Sequence, residues 1–201
     1  MLPMKTNQLT LVALLLGAAS CNSSSDSVKE AQKTNEAKID STTQDTGQGA
    51  AVREDKEYDS NFMTKAASGG MLEVELGKVV AQRATTAEAK QFAQQMVTDH
   101  TKANNELKAL AAKKNIKLPA SLGDDQKKVY DDVLTEKGVK LDQKYVSEMV
   151  DDHEEDIKEF QEASTKAGDP EVKAFAAKTL PVLHMHLTML KKIQPTVDAK
   201  K

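Results

Sequence analysis

Tryptophan is absent from this 201-residue chain, and cysteine occurs once, at position 21. One cysteine excludes any internal disulfide, so stability must come from core packing. Aromatic residues make up only 3%, and valine and isoleucine never alternate with polar residues as they would in a half-buried strand. That excludes a sandwich or a barrel. No apolar run is long enough for a permanent membrane span. Neither sign of charge dominates: 28 Lys and Arg stand against 31 Asp and Glu, interspersed, so the basic patch of a nucleic-acid binder is missing. There is no Gly-x-Ser-x-Gly, no cysteine in the folded part and no His-Glu-x-x-His, so no recognised hydrolytic constellation is present. The chain reads as no enzyme.

What is present begins with a leader. Lys5 supplies a positive start, residues 9–16 a short apolar run, and Gly17 to Ser20 small residues before Cys21, which makes 1–20 a secretion signal. The small residues ending on cysteine resemble the bacterial lipoprotein cleavage box, with Ala18 in place of the usual leucine. That resemblance implies an acylated Cys21 anchored to a membrane. An ordinary secretory signal followed by a free cysteine is the alternative. Residues 21–58 are polar and aperiodic, so they read as a disordered tether, in which a helix over Val28–Ile39 would be marginal alone.

Residues 59–194 carry the fold, with 195–201 as a tail. Ala, Leu, Lys, Glu, Gln and Met dominate, and the punctuation predicts an all-α domain of four long helices. The first runs from Ser60 or Asn61 to about Arg83. The second starts at a capping box, Thr85 with Glu88, and ends near Lys114. Pro119 and Gly123 break the pattern before a short helix over Asp125–Lys137. The third runs from Val139 to Lys166. The fourth starts at Asp169-Pro170 and ends near Ile193, before Pro195. Two short links and one long connection predict a four-helix bundle with a single crossover, the ferritin-like arrangement.

One motif occurs twice, Met-x-x-Asp-His: Met96 to His100, and Met149 to His153. The other two histidines, His184 and His186, lie on the fourth helix. Spacings of three, four and seven put His100 in line with Met96 and Leu107, His153 with Met149 and Phe160, and His186 with Leu183 and Leu190. Three histidines therefore point inward, while His184 sits on the flank. On the first helix Glu73 lies between Gly69-Gly70 and Gly77, where small residues admit a close neighbour. Pro181 sits less than one turn before His184. The inward set of Glu73, Met96, Asp99, His100, Met149, Asp152, His153 and His186 forms a candidate metal site. Imidazole with thioether would suit copper, above all Cu(I), and imidazole with carboxylate would suit zinc or iron. The same residues also read as a buried hydrogen-bond network that sets helix register, in a non-catalytic interaction or spacer module of the envelope.

The stretches EVELGKVVAQRA from Glu73, KQFAQQMVTDHTKANNELKALA from Lys90, YVSEMVDDHEEDIKEF from Tyr145 and VKAFAAKTLPVLHMHL from Val172 resemble, in that order, the bacterial family known as domain of unknown function 4142. The resemblance covers about residues 58–193. It implies an exported, ferritin-like bundle without an established activity, with Glu73, Asp99, His100, Asp152, His153 and His186 at the family's polar positions. His184 falls outside that pattern. Di-iron bundles place Glu-x-x-His on two helices, and this chain has none, so oxygen-activating chemistry is disfavoured.

Overall fold

In the computed structural model, which describes residues 26–46 and 49–201, every regular element is a helix. These are α1 (Ser27–Thr46), α2 (Ala50–Arg83), α3 (Ala87–Lys114), α4 (Asp124–Thr135), α5 (Val139–Lys166) and α6 (Pro170–Asp198). The expected leader and Cys21 lie outside the described residues. Among those described, no helix is long and apolar enough to cross a membrane.

Side chains at the links set the helix directions. The backbone N–H groups of Thr85 and Thr86, between α2 and α3, donate to the buried Asp142 carboxylate near the start of α5, at 3.0 and 2.7 Å. At the opposite end Asp59 accepts from Gly168 N and Asp169 N at 2.9 and 2.8 Å, joining the lower part of α2 to the start of α6. So α2 and α6 run one way and α3 and α5 the other, and α4 lies on the crossover that returns the chain to the first end. Asp169 caps α6, accepting from Glu171 N at 2.8 Å, with Pro170 in the first turn. The helix is continuous through Pro181.

Three expectations need correction. The first is the disordered tether: residues 27–46 and 50–58 are helical, and the boundary placed at 59 falls inside α2. Composition averaged away a narrow stripe, Ala31, Asn35 and Ile39, which is buried. Asn35 donates to Lys117 O at 2.9 Å and accepts from Lys117 N at 2.7 Å. Ser27 Oγ accepts from Ala120 N at 3.0 Å. The helix thus satisfies backbone groups of the 115–123 connection that would otherwise need water. The second is the cap of α3. Thr86, not Thr85, accepts from Ala89 N at 3.3 Å, because Thr85 turns its hydroxyl to Asp142 at 2.9 Å. The third is the tail. Helix α6 passes through Pro195 to Asp198. Val197 is fully buried, and Gln143 Nε2 lies 3.3 Å from the carbonyls of Val197 and Asp198.

The apolar core has two parts. One holds Leu72, Leu76, Phe92, Met96, Tyr145, Met149 and Leu190. The other holds Phe62, Met63, Leu107, Phe160, Leu180 and Leu183. On α3, α5 and α6 the break between the two clusters is occupied by His100, His153 and His186, and on α2 Glu73 lies beside it, next to Leu72.

Candidate metal centre

Burial of these four is nearly complete. His153 and His186 are 0% exposed, Glu73 1% and His100 5%. Removing so much polarity from water is costly unless each group finds a partner, and the partners identify the protons. His153 Nδ1 lies 3.0 Å from Met149 O. A carbonyl only accepts, so this nitrogen carries the hydrogen and Nε2 presents a lone pair. His186 Nε2 lies 2.8 Å from Asp99 Oδ2. Burial alone would raise the Asp99 carboxyl, but hydrogen bonds from Gln95 and His186 hold it below its ordinary value. The carboxylate therefore accepts from Nε2, and Nδ1 of His186 faces inward with its lone pair. His100 Nδ1 contacts Glu73 Oε2.

The inward nitrogens converge. His186 Nδ1 is 3.2 Å from His100 Nε2 and 3.3 Å from His153 Nε2, and Glu73 Oε1 is 3.5 Å from His153 Nε2. One ligand atom from each histidine lies within 4.8 Å of the other two. Four-coordinate metal–nitrogen bonds of about 2.0–2.1 Å in a tetrahedron give nitrogen–nitrogen edges of about 3.3–3.4 Å. The two spacings from His186 Nδ1, 3.2 and 3.3 Å, match.

At the three histidines and Glu73 every titration shift favours the neutral form. Burial pushes His100 down to about 4, against the raising fields of Asp152 and Asp99. Burial also lowers His153 well below its ordinary value, aided by His100 and His186. It lowers His186 as well, with Asp99 opposing. Glu73 is raised well above the usual carboxylate range by burial. Without an ion, the Glu73 carboxyl donates to His100 Nδ1 and His100 Nε2 donates to His186 Nδ1. That chain of donors ends before His153 Nε2, whose neighbours His186 Nδ1 and Glu73 Oε1 are both acceptors. Glu73 Oε1 has no hydrogen-bond partner either.

The sequence singled out eight site residues, and the structure sorts them. Glu73, His100, His153 and His186 meet. Asp99 reaches across to His186 and not to the adjacent His100. Asp152 belongs to a second grouping with Glu73 and His153, and its carboxyl is raised by burial and by Glu73. Met96 and Met149 are fully buried among the apolar side chains of the first cluster, and the contact Met149 makes to His153 is through its carbonyl. His184 is exposed. Glycine does admit a close neighbour: Asn104 donates to Gly70 O at 2.7 Å, and a Cβ on Gly77 would meet Ala93 O at 3.0 Å.

Three participants escaped the sequence reading. Gln95 donates to Asp99 at 2.7 Å. Tyr145 is buried, with its hydroxyl unpartnered. Asp156 is raised by burial and by the charges of Asp152 and Glu73. The available signal was spacing: Gln95–Asp99 and Asp152–Asp156 are both four apart, as are Tyr145, Met149 and His153.

The family model for a domain of unknown function, DUF4142, matches residues 41–193, a span that includes all of these side chains. The chain belongs to the DUF4142 family. No curated protein matches it. Two solved structures share the DUF4142 chain's helical fold. One is a DUF305 protein from Streptomyces coelicolor, named as a presumed secreted protein, with a TM-score of 0.60 and 11% identity over 72% of this chain and 96% of that one. The other is a DUF305 fragment from Deinococcus radiodurans, with a TM-score of 0.61 and 8% identity over 69% and 96%. At such identities the likeness is one of fold alone.

Proposed function

We propose that this DUF4142 protein is a metal-binding helical module of the cell envelope. It holds one divalent transition ion at His100 Nε2, His153 Nε2 and His186 Nδ1, with Glu73 behind His100. One observation carries the reading: His153 and His186 rest their outer nitrogens on Met149 O and Asp99, so two lone pairs converge beside His100 Nε2, with His186 Nδ1 at 3.2 Å from His100 Nε2 and 3.3 Å from His153 Nε2. Metal-bound histidines ordinarily show this outer support. With an ion in place, Glu73 loses its proton, His100 Nδ1 donates to Glu73 Oε2, and the acceptors around His153 Nε2 gain a cation. Three imidazoles suit zinc, Cu(II) or iron. Cu(I) is the poorer candidate, because Met96 and Met149 are packed in the apolar cluster.

The single crossover is that of ferritin-like bundles, although the donor set is not that of the di-iron members. Export and a lipid anchor at Cys21 rest on the leader, and the name of the Streptomyces neighbour agrees with export. The rival reading, an envelope spacer with a structural network, leaves His153 Nε2 with no donor closer than the Glu73 carboxyl, whose Oε1 is 3.5 Å away.

The test is titration of the purified protein with Zn(II), Cu(II), Fe(II) and Co(II), reading heat, bound metal and the Co(II) absorption spectrum together. The expected result is one ion per chain with a tetrahedral Co(II) spectrum, both lost in the His100→Ala, His153→Ala, His186→Ala triple variant. A folded wild type that binds none of these ions overturns the reading and turns the search to protein partners.

A further inference from the structure

A cavity of about 290 Å³ opens among α1, α2, α4 and α5, on the α5 side of the histidine cluster. Seven carboxylates and two lysines line it. Lys29 is taken by Asp26 at 3.3 Å and Lys65 by Glu159 at 3.1 Å. Asp152, Glu155 and Asp156 are left without a lysine or arginine partner among the described residues.

The cavity approaches the candidate centre through Asp152. Asp152 lines the cavity, and one of its oxygens lies within 4.8 Å of ligand atoms of Glu73 and His153. Its Oδ2 is buried without a hydrogen-bond partner, and so is Oε1 of Glu73, a side chain only 1% exposed. Asp152 and Glu73, each with one orphaned oxygen, thus connect the cavity wall to His153. On the opposite wall Gly69 contributes no side chain, and a Cβ there would meet only Asp156 Oδ1, at 3.9 Å. Glycine keeps the opening clear there, and seven carboxyls against two amines line it.

We infer that this acidic cavity is the route by which a divalent cation reaches the histidine cluster, with Asp152 passing the ion from the cavity wall to Glu73. The inference rests on the metal-binding reading and adds the path. A cleft lined by one sign of charge and walled by protein focuses its field and raises the local concentration of counter-ions, accelerating association by roughly 10–10³-fold, an effect that salt removes. The same negative charge would repel an anionic chelate, so the species admitted is the free or hydrated ion.

The experiment is stopped-flow association of Zn(II) with the full protein, at low salt and at high salt, beside equilibrium titration. In the Glu155→Gln, Asp156→Asn double variant the association rate at low salt is expected to fall about tenfold or more, with the gap to wild type closing at high salt and one ion still bound. Gly69→Leu keeps every charge but fills the passage, so it slows uptake at both salts. Glu106→Gln with Glu171→Gln removes the same charge from α3 and α6, outside the cavity, and leaves the rate unchanged. Wild-type rates in both cavity variants, with binding intact, overturn the route while the site stands. Equal slowing by the control pair reduces the effect to net charge and overturns the route as well. A wild type that binds no zinc at equilibrium overturns the site, and the route with it.

Discussion

Replacing His153 by leucine separates the metal site from the fold that houses it. Leucine is close to histidine in volume and suits both a helix interior and an apolar core. In the metal-free protein the change removes one hydrogen bond, from Nδ1 to Met149 O, worth about 1 kcal/mol. The Met149 carbonyl keeps its ordinary helical bond from the backbone N–H four residues on. The change also removes a lone pair that no donor satisfies. The two effects offset, so the metal-free midpoint should move by no more than about 1 kcal/mol, or roughly 2–4 °C for a domain of this size. The metal-bound comparison differs sharply. Zinc at 100 times its dissociation constant stabilises the native wild type by about 2.7 kcal/mol, a rise of roughly 5–11 °C, and the leucine variant, one donor short, loses most of it. Thermal unfolding followed by circular dichroism, with and without zinc, reads all four values. A network without a metal predicts the reverse pattern: a loss of about 1–3 kcal/mol on substitution and no zinc effect on either protein. If zinc raises the leucine variant as far as wild type, His153 is not a ligand and the reasoning fails.

Asp99→Asn leaves the three donors in place but weakens the acceptor that orients His186. Zinc affinity is expected to fall about 10- to 100-fold, by calorimetric titration, with the metal-free midpoint nearly unchanged. Glu73 carries a raised carboxyl pKa, so binding must expel its proton. Affinity therefore climbs with pH over a window that begins above the usual 4.5, and calorimetry in buffers of different ionisation enthalpy should show a released proton that Glu73→Gln abolishes. In the metal-free protein His100 titrates near 4 against 6.5 for the ordinary side chain, so the unfolded chain takes up this proton first. Acid between pH 6.5 and 4 then costs stability, about 3 kcal/mol from this group below pH 4. Glu73 acts in the opposite sense, its contribution complete below 4.5 and lost as pH rises, so the histidine slope is clearest in the Glu73→Gln variant under chemical denaturation. Asp142→Ala strips the acceptor from Thr85 N, Thr85 Oγ1 and Thr86 N. About 3 kcal/mol or more of stability should go with it, while zinc binding by the folded fraction remains.

Much of the centre was legible because a helix repeats. Once His100, His153 and His186 fall in register with leucine and methionine, they must face the core, and the structure puts them there. The same periodicity could not say what an adjacent aspartate does. Neighbours on a helix point about 100° apart, so Asp99 and His100 cannot share a partner on one axis. Asp99 reaches α6 and Asp152 the cavity, although their motifs are identical. Methionine looked like a ligand for the same reason that histidine did, since both lie on the inward face. Depth along the bundle is what separates them, and depth depends on how four helices are staggered. The tether was misread because α1 buries only a narrow stripe and gains its hold from Asn35 and Ser27 against a loop some 80 residues away, a partner no local pattern contains.

Local chemistry in the sequence was therefore enough to establish an all-α chain, the links after Arg83 and Lys166, and the inward turn of Glu73 and three histidines, because propensity, capping and periodicity act over a few residues. Tertiary structure alone decided which imidazole nitrogens converge, that acceptors stand behind His153 and His186, and that an acidic cavity ends at Asp152. The first two exist only where α2, α3, α5 and α6 meet, and the cavity only where α1 and α4 pack beside α2 and α5. Their geometry is set by the stagger and rotation of packed helices, quantities that no single helix encodes.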